Sequence, residues 1–311
     1  MDLRQLRYLV ALAEERSFTR AAAREHIAQP ALSQQIRRLE REVGLALVER
    51  TTRRVAPTEA GELLVARARR ALAEIEAAQA EMQALRGMLT GRVAIGAMPT
   101  MGPIDLSPVM ATFHRRHPGV ELVVREQSSE ELAEMLRIDE LDIAFLSVTE
   151  RIESHGLGLA QLACEELVVV LPQEHPLAGE GKLSMPRLAG ERFIGYREGA
   201  RLRELLESAG RAAGFEPLVK LASNEGQRIR GLVGCGAGIA IMPRSEAEWP
   251  DRDFAVATLV DPGLSRDITL AWREERRLPP AAAEFLALSK STFVVPRARG
   301  PSEQASCTDR P

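Results

Sequence analysis

The sequence predicts an α/β protein in three parts: an amino-terminal winged helix-turn-helix, one long helix, and a two-lobed α/β domain. Three observations carry that expectation. Residues 17–40, SFTRAAAREHIAQPALSQQIRRLE, pair a small-residue helix with a second helix opened by Gln-Pro. Residues 58 to about 89 form a proline-free run rich in Ala, Glu, Arg and Leu, with apolar residues in alternating steps of four and three. From Gly91 onward, short β-rich runs alternate with helical patterns.

In the first part, Ser17 and Thr19 are each suited to cap the leading helix of the motif, and its Ala21 and Ala22 face is small enough for a second helix to cross it closely. Pro30 restarts the helix, because a proline in the first turn has no hydrogen bond to lose; Gln29 is then expected as the cap, its amide at the helix tip. Leu32, Ile36 and Leu39 fall at i, i+4 and i+7 and face inward, an arrangement expected to turn Ser33, Gln34, Arg37 and Arg38 outward. An amide bonds an adenine edge through two hydrogen bonds, serine takes either partner, and a guanidinium binds guanine edges or phosphate. Base contacts are therefore expected from Gln29, Ser33 and Gln34, with Pro30 beside them, and phosphate contacts from Arg37 and Arg38 a turn further along. A plain solvated helix rich in arginine is the alternative, and it leaves the Ala-Ala face and the Gln-Pro start without a purpose.

Glu49 to Pro57 is expected to form the wing: Arg50, Arg53 and Arg54 lie in a polar, Thr-rich stretch ended by proline. Arginines on such a hairpin suit a narrow minor groove, against the alternative of a solvated turn with incidental charge. Residues 1–60 hold eleven Lys or Arg against eight Asp or Glu, whereas the rest hold thirty against thirty-six. With a pI near 6.1 the chain is no general polycation, so affinity for DNA must come from one local face and fall with salt.

The long helix places Leu64, Ala68, Ala71, Ile75, Ala78, Met82, Leu85 and Leu89 along one seam at heptad spacing. An isolated helix cannot bury such a seam, so pairing with a second subunit is expected; packing against its own chain is the alternative. Two-fold pairing sets two recognition helices at a fixed separation and calls for double-stranded DNA with a partly palindromic site.

In the third part, RVAIGAM, VELVVREQ and LDIAFLSV alternate with LSPVMATFHRRH and EELAEMLRI, a βαβ rhythm that predicts a parallel sheet. A second block carries ELVVVLP, RFIGYR and AGIAIMP as strands. Ligands of open α/β sheets sit beyond the carboxyl ends of strands, where helix N-termini offer free N–H groups. That selects Met98 and Thr100 after the first strand, Ser128 and Ser129 after the second, and Ser147 after the third. In the second block it selects Tyr196, Arg197 and Arg201, with Asn224. Hydroxyls at helix starts also serve as plain caps, and arginines here could equally be solvated or meet Glu198 or Glu204.

The first 64 residues resemble the amino-terminal winged helix-turn-helix of the LysR-type transcriptional regulators. They follow its pattern of an initial "L..L..F/Y" helix, then "SF..AA", "Q.A.S..I..LE..LG", "L..R" and "T.AG". Glu25, Val48 and Ala56 depart from the usual leucine, phenylalanine and leucine. GRVAIG, FHRRHPGVELVV, LDIAFL, LPQEHPLA and LVGCGAGIAIMP carry the resemblance into the effector-binding half, so that it spans roughly residues 2 to 293. It implies a linker helix that dimerises the reading heads, assembly as dimer or tetramer, and a type II periplasmic-binding-protein fold with a cleft between lobes. It also implies that hydroxyls at Thr100 and Ser128 or Ser129 hold a small-molecule effector, an organic anion, whose carboxylate could meet Arg197 or Arg201. The expected divisions are 1–58 for the DNA-binding head and 59–90 for the linker helix. The effector-binding domain then takes 91–295, with lobe 1 at 91–163 and 267–295 and lobe 2 at 164–266, and 296–311 form a loose tail.

Other classes fit less well. His26, His114, His117, His155 and His175 lie apart with no zinc spacing, so no metal is expected. GCGAG follows a helix where a dinucleotide fingerprint follows a strand, and no nucleophile and base can be paired by spacing; no catalytic residue and no cofactor are expected. Cys164, Cys235 and Cys307 form no paired framework, unlike the peroxide-sensing members of the family. With no secretory segment and no membrane-length apolar run, the expected location is the cytoplasm. A metabolite-binding protein with a vestigial head, an architectural DNA protein and an enzyme with a DNA-binding appendage remain as rivals.

Overall fold

The computed structural model describes residues 1–50, 55–85, 89–149, 152, 154–248, 253–261 and 263–293. They form two units: Met1–Gly91 with Arg137–Glu140 and Leu278–Ala281, and the remainder. The expected tail at 296–311 lies outside the described residues.

The first unit opens with α1 (Leu3–Glu15), started by a capping box in which Asp2 and Gln5 each bond the other's backbone N–H. Ser17 caps α2 (Phe18–Arg24) by accepting from the Arg20 N–H, which decides between it and Thr19. After a four-residue turn comes α3 (Gln29–Val43), closed by Gly44 in the left-handed conformation. Ala21, Ala22, Leu32, Ile36 and Leu39 are fully enclosed with Leu9 and Leu12 of α1.

The wing strands β1 (Val48–Arg50) and β2 (Val55–Pro57) pair antiparallel. Glu40 of α3 steers the chain into them, its Oε1 accepting from the N–H groups of Leu47 and Val48 at 3.1 and 3.3 Å. The T-x-A-G signature then has a physical account. Thr58 caps α4 (Glu59–Ala84) through Gly61 N and donates its hydroxyl to Ala46 O, and a Cβ at Gly61 would fall on the Leu47 carbonyl. The helix ends at Ala84, short of the expected Leu89; residues 86–88 lie outside the described residues.

The second unit runs β3 (Gly91–Ala97), α5 (Leu106–Arg116), β4 (Val120–Glu126), α6 (Ser129–Arg137), β5 (Ile143–Leu146) and the 16-residue β6 (Leu157–Pro172). It continues with β7 (Lys182–Ser184), β8 (Arg192–Gly195), α7 (Arg201–Ala212), β9 (Leu218–Ala222), α8 (Gly226–Gly234), β10 (Ala240–Pro243) and the single turn α9 (Arg244–Ala247). Strands β11 (Phe254–Val260) and β12 (Ser265–Arg273) and helix α10 (Pro280–Phe293) complete it. The sheet order is β4-β3-β5-β12-β6-β11-β7, with β10 also on β6.

The expectation of a parallel sheet is corrected to a mixed one. Strands β3 and β5 are parallel, but β12 runs antiparallel to β5 and β6, and β10 and β11 run antiparallel to β6. The cause is topological: β6 leaves the first half for the second and β12 returns, so they bring the opposite direction into the βαβ layer. Up to Glu166, β6 pairs with β12; from Leu167 it pairs with β10 and β11. The second half has its own apolar core, built on Val168, Val170, Phe193, Leu206, Ile229 and Met242. In the first half, Phe113 and Phe285 meet edge to face, their centroids 5.2 Å apart.

Candidate nucleic-acid interface and effector site

Gln29, Pro30 and Gln34 stand exposed on α3 behind which Leu32, Ile36 and Leu39 are buried. The expected cap is corrected: Ala28 takes that place, its carbonyl accepting from Ala31 N and Leu32 N, and Gln29 becomes the first helical residue. Ala28 has no side-chain acceptor and Pro30 no N–H, so this helix start has no side-chain cap, and Gln29 carries the amide at its tip.

Ser33 corrects a second expectation. It is only 6% exposed, and Arg37, one turn later, folds back onto it: Nη2 donates to Ser33 Oγ at 3.1 Å and Nε to its carbonyl at 3.4 Å. Arg38 is exposed and paired within its own helix to Glu42 at 3.1 Å. Arg41, which the sequence reading did not single out, lines one open groove together with Pro30, Gln34 and Arg37. The signal was present in the steps of four, three and four that put 30, 34, 37 and 41 on one stripe. Arg53 and Arg54 lie outside the described residues, as does the side chain of Arg50.

On α4 the expected seam divides in two. Val65 and Ala68 are buried in the core shared with α1, and Leu64 packs against that core. Ile75, Met82 and Leu85 are 36%, 57% and 81% exposed, and Ala71 and Ala78 are exposed with them. Val65, adjacent to the seam, was missed because the head claims a face offset from the heptad line. Glu14 braces the same helices, its carboxylate meeting Arg24 of α2 at 2.5 Å and Arg69 of α4 at 3.1 Å. Burial pushes the Glu14 carboxyl up, but the hydrogen bonds and charges of Arg24 and Arg69 outweigh it and hold the group below its usual range.

In the second unit, Ser128 is a helix cap: its hydroxyl and N–H share Glu131 Oε2, while Glu131 N donates to Ser128 Oγ. Ser129 and Ser147 are both buried, and Ser147 N donates to Ser129 Oγ at 3.1 Å. Met98 is buried and its N–H donates to Phe145 O. Asn224 ties down the loop before α7 by accepting from Arg197 N, and Arg201 faces Glu204 at 3.7 Å.

Thr100 and Tyr196 are drawn into a cluster that sequence reasoning missed. Arg266 of β12 and Glu165 of β6 sit opposite each other in the strand pairing, with side chains only 2% and 5% exposed. Arg266 donates from Nε and Nη2 to Glu165 Oε2 at 3.1 and 2.9 Å, and from Nη1 to Thr100 Oγ1 at 2.6 Å. Glu165 Oε1 accepts from Ser245 N at 3.1 Å and from its hydroxyl. Nearby, the Tyr196 hydroxyl donates to Glu246 Oε2 at 3.2 Å, and Arg230 donates to the Glu246 carbonyl at 2.6 Å. Burial, and then the Glu246 charge, raise the Tyr196 phenol well above its usual value. Burial also raises Glu246, against the pull of Arg266. The available signal was charge in phase with a buried face: Glu165 precedes an apolar run and Arg266 opens one.

Among the described residues no group of His, Cys, Asp and Glu is placed to hold a metal ion, and no helix is long and apolar enough to cross a membrane. Cys235 is free and exposed. Cys164 stands at an exposed position of β6. Cys307 lies outside the described residues.

A helix-turn-helix with an outward amide tip, joined in one chain to an α/β unit crossed by β6 and β12, has the plan of a ligand-responsive DNA-binding regulator. Residues 3–62 match the bacterial regulatory helix-turn-helix protein model of the lysR family, and residues 86–293 match the LysR substrate binding domain. The chain belongs to the LysR family: it is a DNA-binding transcription regulator with an effector-binding domain. It is 36% identical over 244 residues to the hydrogen peroxide-inducible genes activator of Pectobacterium carotovorum subsp. carotovorum, covering 78% of this chain and 80% of that one. Among solved structures it is similar to full-length OxyR of Pseudomonas aeruginosa carrying a cysteine-to-aspartate change, with TM-score 0.74, 26% identity and 98% and 99% of the two chains covered. It is also similar to an H2O2-bound cysteine-to-serine mutant of Corynebacterium glutamicum OxyR, with TM-score 0.54, 27% identity and 97% and 98% covered.

Proposed function

We propose that this chain works as a symmetric oligomer in the cytoplasm. In this reading Gln29, Pro30 and Gln34 contact bases, Ser33 joins them once Arg37 turns to phosphate, and Arg37, Arg38, Arg41 and the wing arginines hold the DNA backbone. The observation that carries it is the stripe of Pro30, Gln34, Arg37 and Arg41 along α3, exposed over a buried face of Leu32, Ile36 and Leu39. Side chains of that chemistry, on a helix thin enough for the major groove, suit base edges near the tip and phosphates further on.

The open seam from Ala71 to Leu85 is the dimerisation surface in this reading, since an isolated helix gains nothing by leaving Ile75, Met82 and Leu85 in water. The small-molecule effector sits where the two halves of the second unit meet, around Thr100 and Tyr196. An effector preferring one arrangement of the halves must alter DNA affinity if the two are coupled, and DNA must alter effector affinity equally.

The test is fluorescence anisotropy, at several salt concentrations, with the DNA flanking the gene against a scrambled duplex of equal length. Tighter binding to the flanking DNA, lost in Gln29→Ala and Gln34→Ala, is the expected result. Equal binding to both at every salt concentration would favour the architectural rival.

A further inference from the structure

Resting on the reading that the effector sits where the two halves of the second unit meet, we propose that this site is charge-compensated from within and takes an uncharged, hydrogen-bonding effector, the Glu165–Arg266 pair excluding organic anions. The proposal replaces the expected organic anion.

A guanidinium captures a carboxylate most tightly when the ligand itself is its counter-charge. Arg266 is not so placed. Its side chain is 2% exposed, and two of its nitrogens converge on a single oxygen of Glu165, 2.9 and 3.1 Å away. Both oxygens of Glu165 are committed, one to Arg266 and the other to Ser245 at the start of α9. A second carboxylate brought to Arg266 would lie beside the Glu165 charge in surroundings too dry to screen it. Glu246 adds another carboxyl, and Arg230, donating to its carbonyl, the second guanidinium. Arg266 thus has its counter-charge in place before any ligand arrives.

The two carboxyls are built into the backbone path. A Cβ at Gly102 would fall on Glu165 Oε2, and one at Gly226 on Glu246 Oε2, so the chain approaches both carboxyls where it has no side chain.

What the cluster still offers is neutral hydrogen bonding. Thr100 Oγ1 accepts from Arg266, so its own hydrogen is available to a ligand. The Tyr196 hydroxyl donates to Glu246 and keeps lone pairs to accept with. An amide, a polyol or another uncharged group with both donors and acceptors matches this set without an unpaired charge.

Acetate is the probe, titrated against full-length protein at constant ionic strength with melting temperature as the readout. The expected result is a saturable rise for Glu165→Gln/Glu246→Gln, in which Arg266 has lost its carboxylate partner, with acetate bound at least tenfold more tightly than by wild type. It should disappear when Arg266→Gln is added. Equal acetate binding by wild type and by the double variant, or none by a folded double variant, overturns the proposal. The wild type gives an independent arm should the variant fail to fold: saturable acetate binding that is lost in Thr100→Val also overturns it. The underlying reading fails separately. Acetate that binds the double variant yet leaves its affinity for DNA unchanged keeps the charge compensation and removes the effector role of the site.

Discussion

Arg37 lies folded over Ser33, its Nη2 donating to the serine hydroxyl at 3.1 Å and its Nε reaching the serine carbonyl at 3.4 Å. The residue that suits phosphate is thereby the lid on a residue that suits a base. Reading DNA with Ser33 requires Arg37 to swing out, and phosphate is a stronger partner for a guanidinium than a neutral hydroxyl. Arg37→Ala should weaken binding to specific and scrambled duplexes alike and reduce the salt slope by about one. Ser33→Ala should weaken the specific duplex selectively, by about 1–3 kcal/mol if one base contact is lost. Anisotropy on both duplexes separates the two, and a selective loss in Arg37→Ala would contradict the lid.

The division of the α4 seam predicts opposite phenotypes along one helix. Leu85→Glu and Ile75→Glu should lower the mass seen by sedimentation while leaving the melting of the head intact, because these side chains are exposed within the chain. Ala68→Glu should unfold the head, since it forces an unpaired charge into the core shared with α1.

Gly61 permits α4 to start against the wing. A Cβ there would land on the Leu47 carbonyl, a backbone atom held in place by the Thr58 N–H. Gly61→Ala should therefore destabilise the head by about 1–3 kcal/mol, despite alanine's better helix propensity. Thermal melting of the variant checks this, and a stabilised head would show that the wing can shift freely.

Glu14 and Glu246 should answer acid in opposite senses. Glu14 has its carboxyl lowered in the folded head, so its contribution is present above the ordinary value of 4.5 and fades as pH falls through the lower folded value. Glu246 is raised in the folded second unit, so ionising it costs stability as pH climbs from 4.5 through the higher folded value, and acid removes that cost. Glu14→Gln should flatten the acid loss of the head, and Glu246→Gln should flatten the loss of the second unit as pH rises. Melting curves of each variant from pH 3 to 8 (roughly the span over which carboxylates titrate) would show a wrong sign at once.

The head was legible in the sequence because its signals are local. A helix cap, a proline in the first turn and an apolar stripe at i, i+4 and i+7 act within a few residues, and Ser17, Pro30, Leu32, Ile36 and Leu39 do what their neighbours dictate. The same local reasoning placed the tip of α3 one residue late, since Ala28 has no side-chain acceptor to announce it as a cap, and turned Ser33 outward because the reach of Arg37 is not written in a helical wheel.

The sequence alone determined a helix-turn-helix, a heptad seam and a βαβ rhythm, each a periodicity of the chain with itself. Only the tertiary structure decided that Arg266 would meet Glu165 and Thr100, partners 101 and 166 residues away. It also decided that β6 would run through both halves and turn a parallel sheet into a mixed one. Those outcomes depend on which strands return beside which others, and a buried charge takes its partner from that arrangement because the cost of leaving it unpaired is settled by what surrounds it, wherever in the chain those surroundings originate.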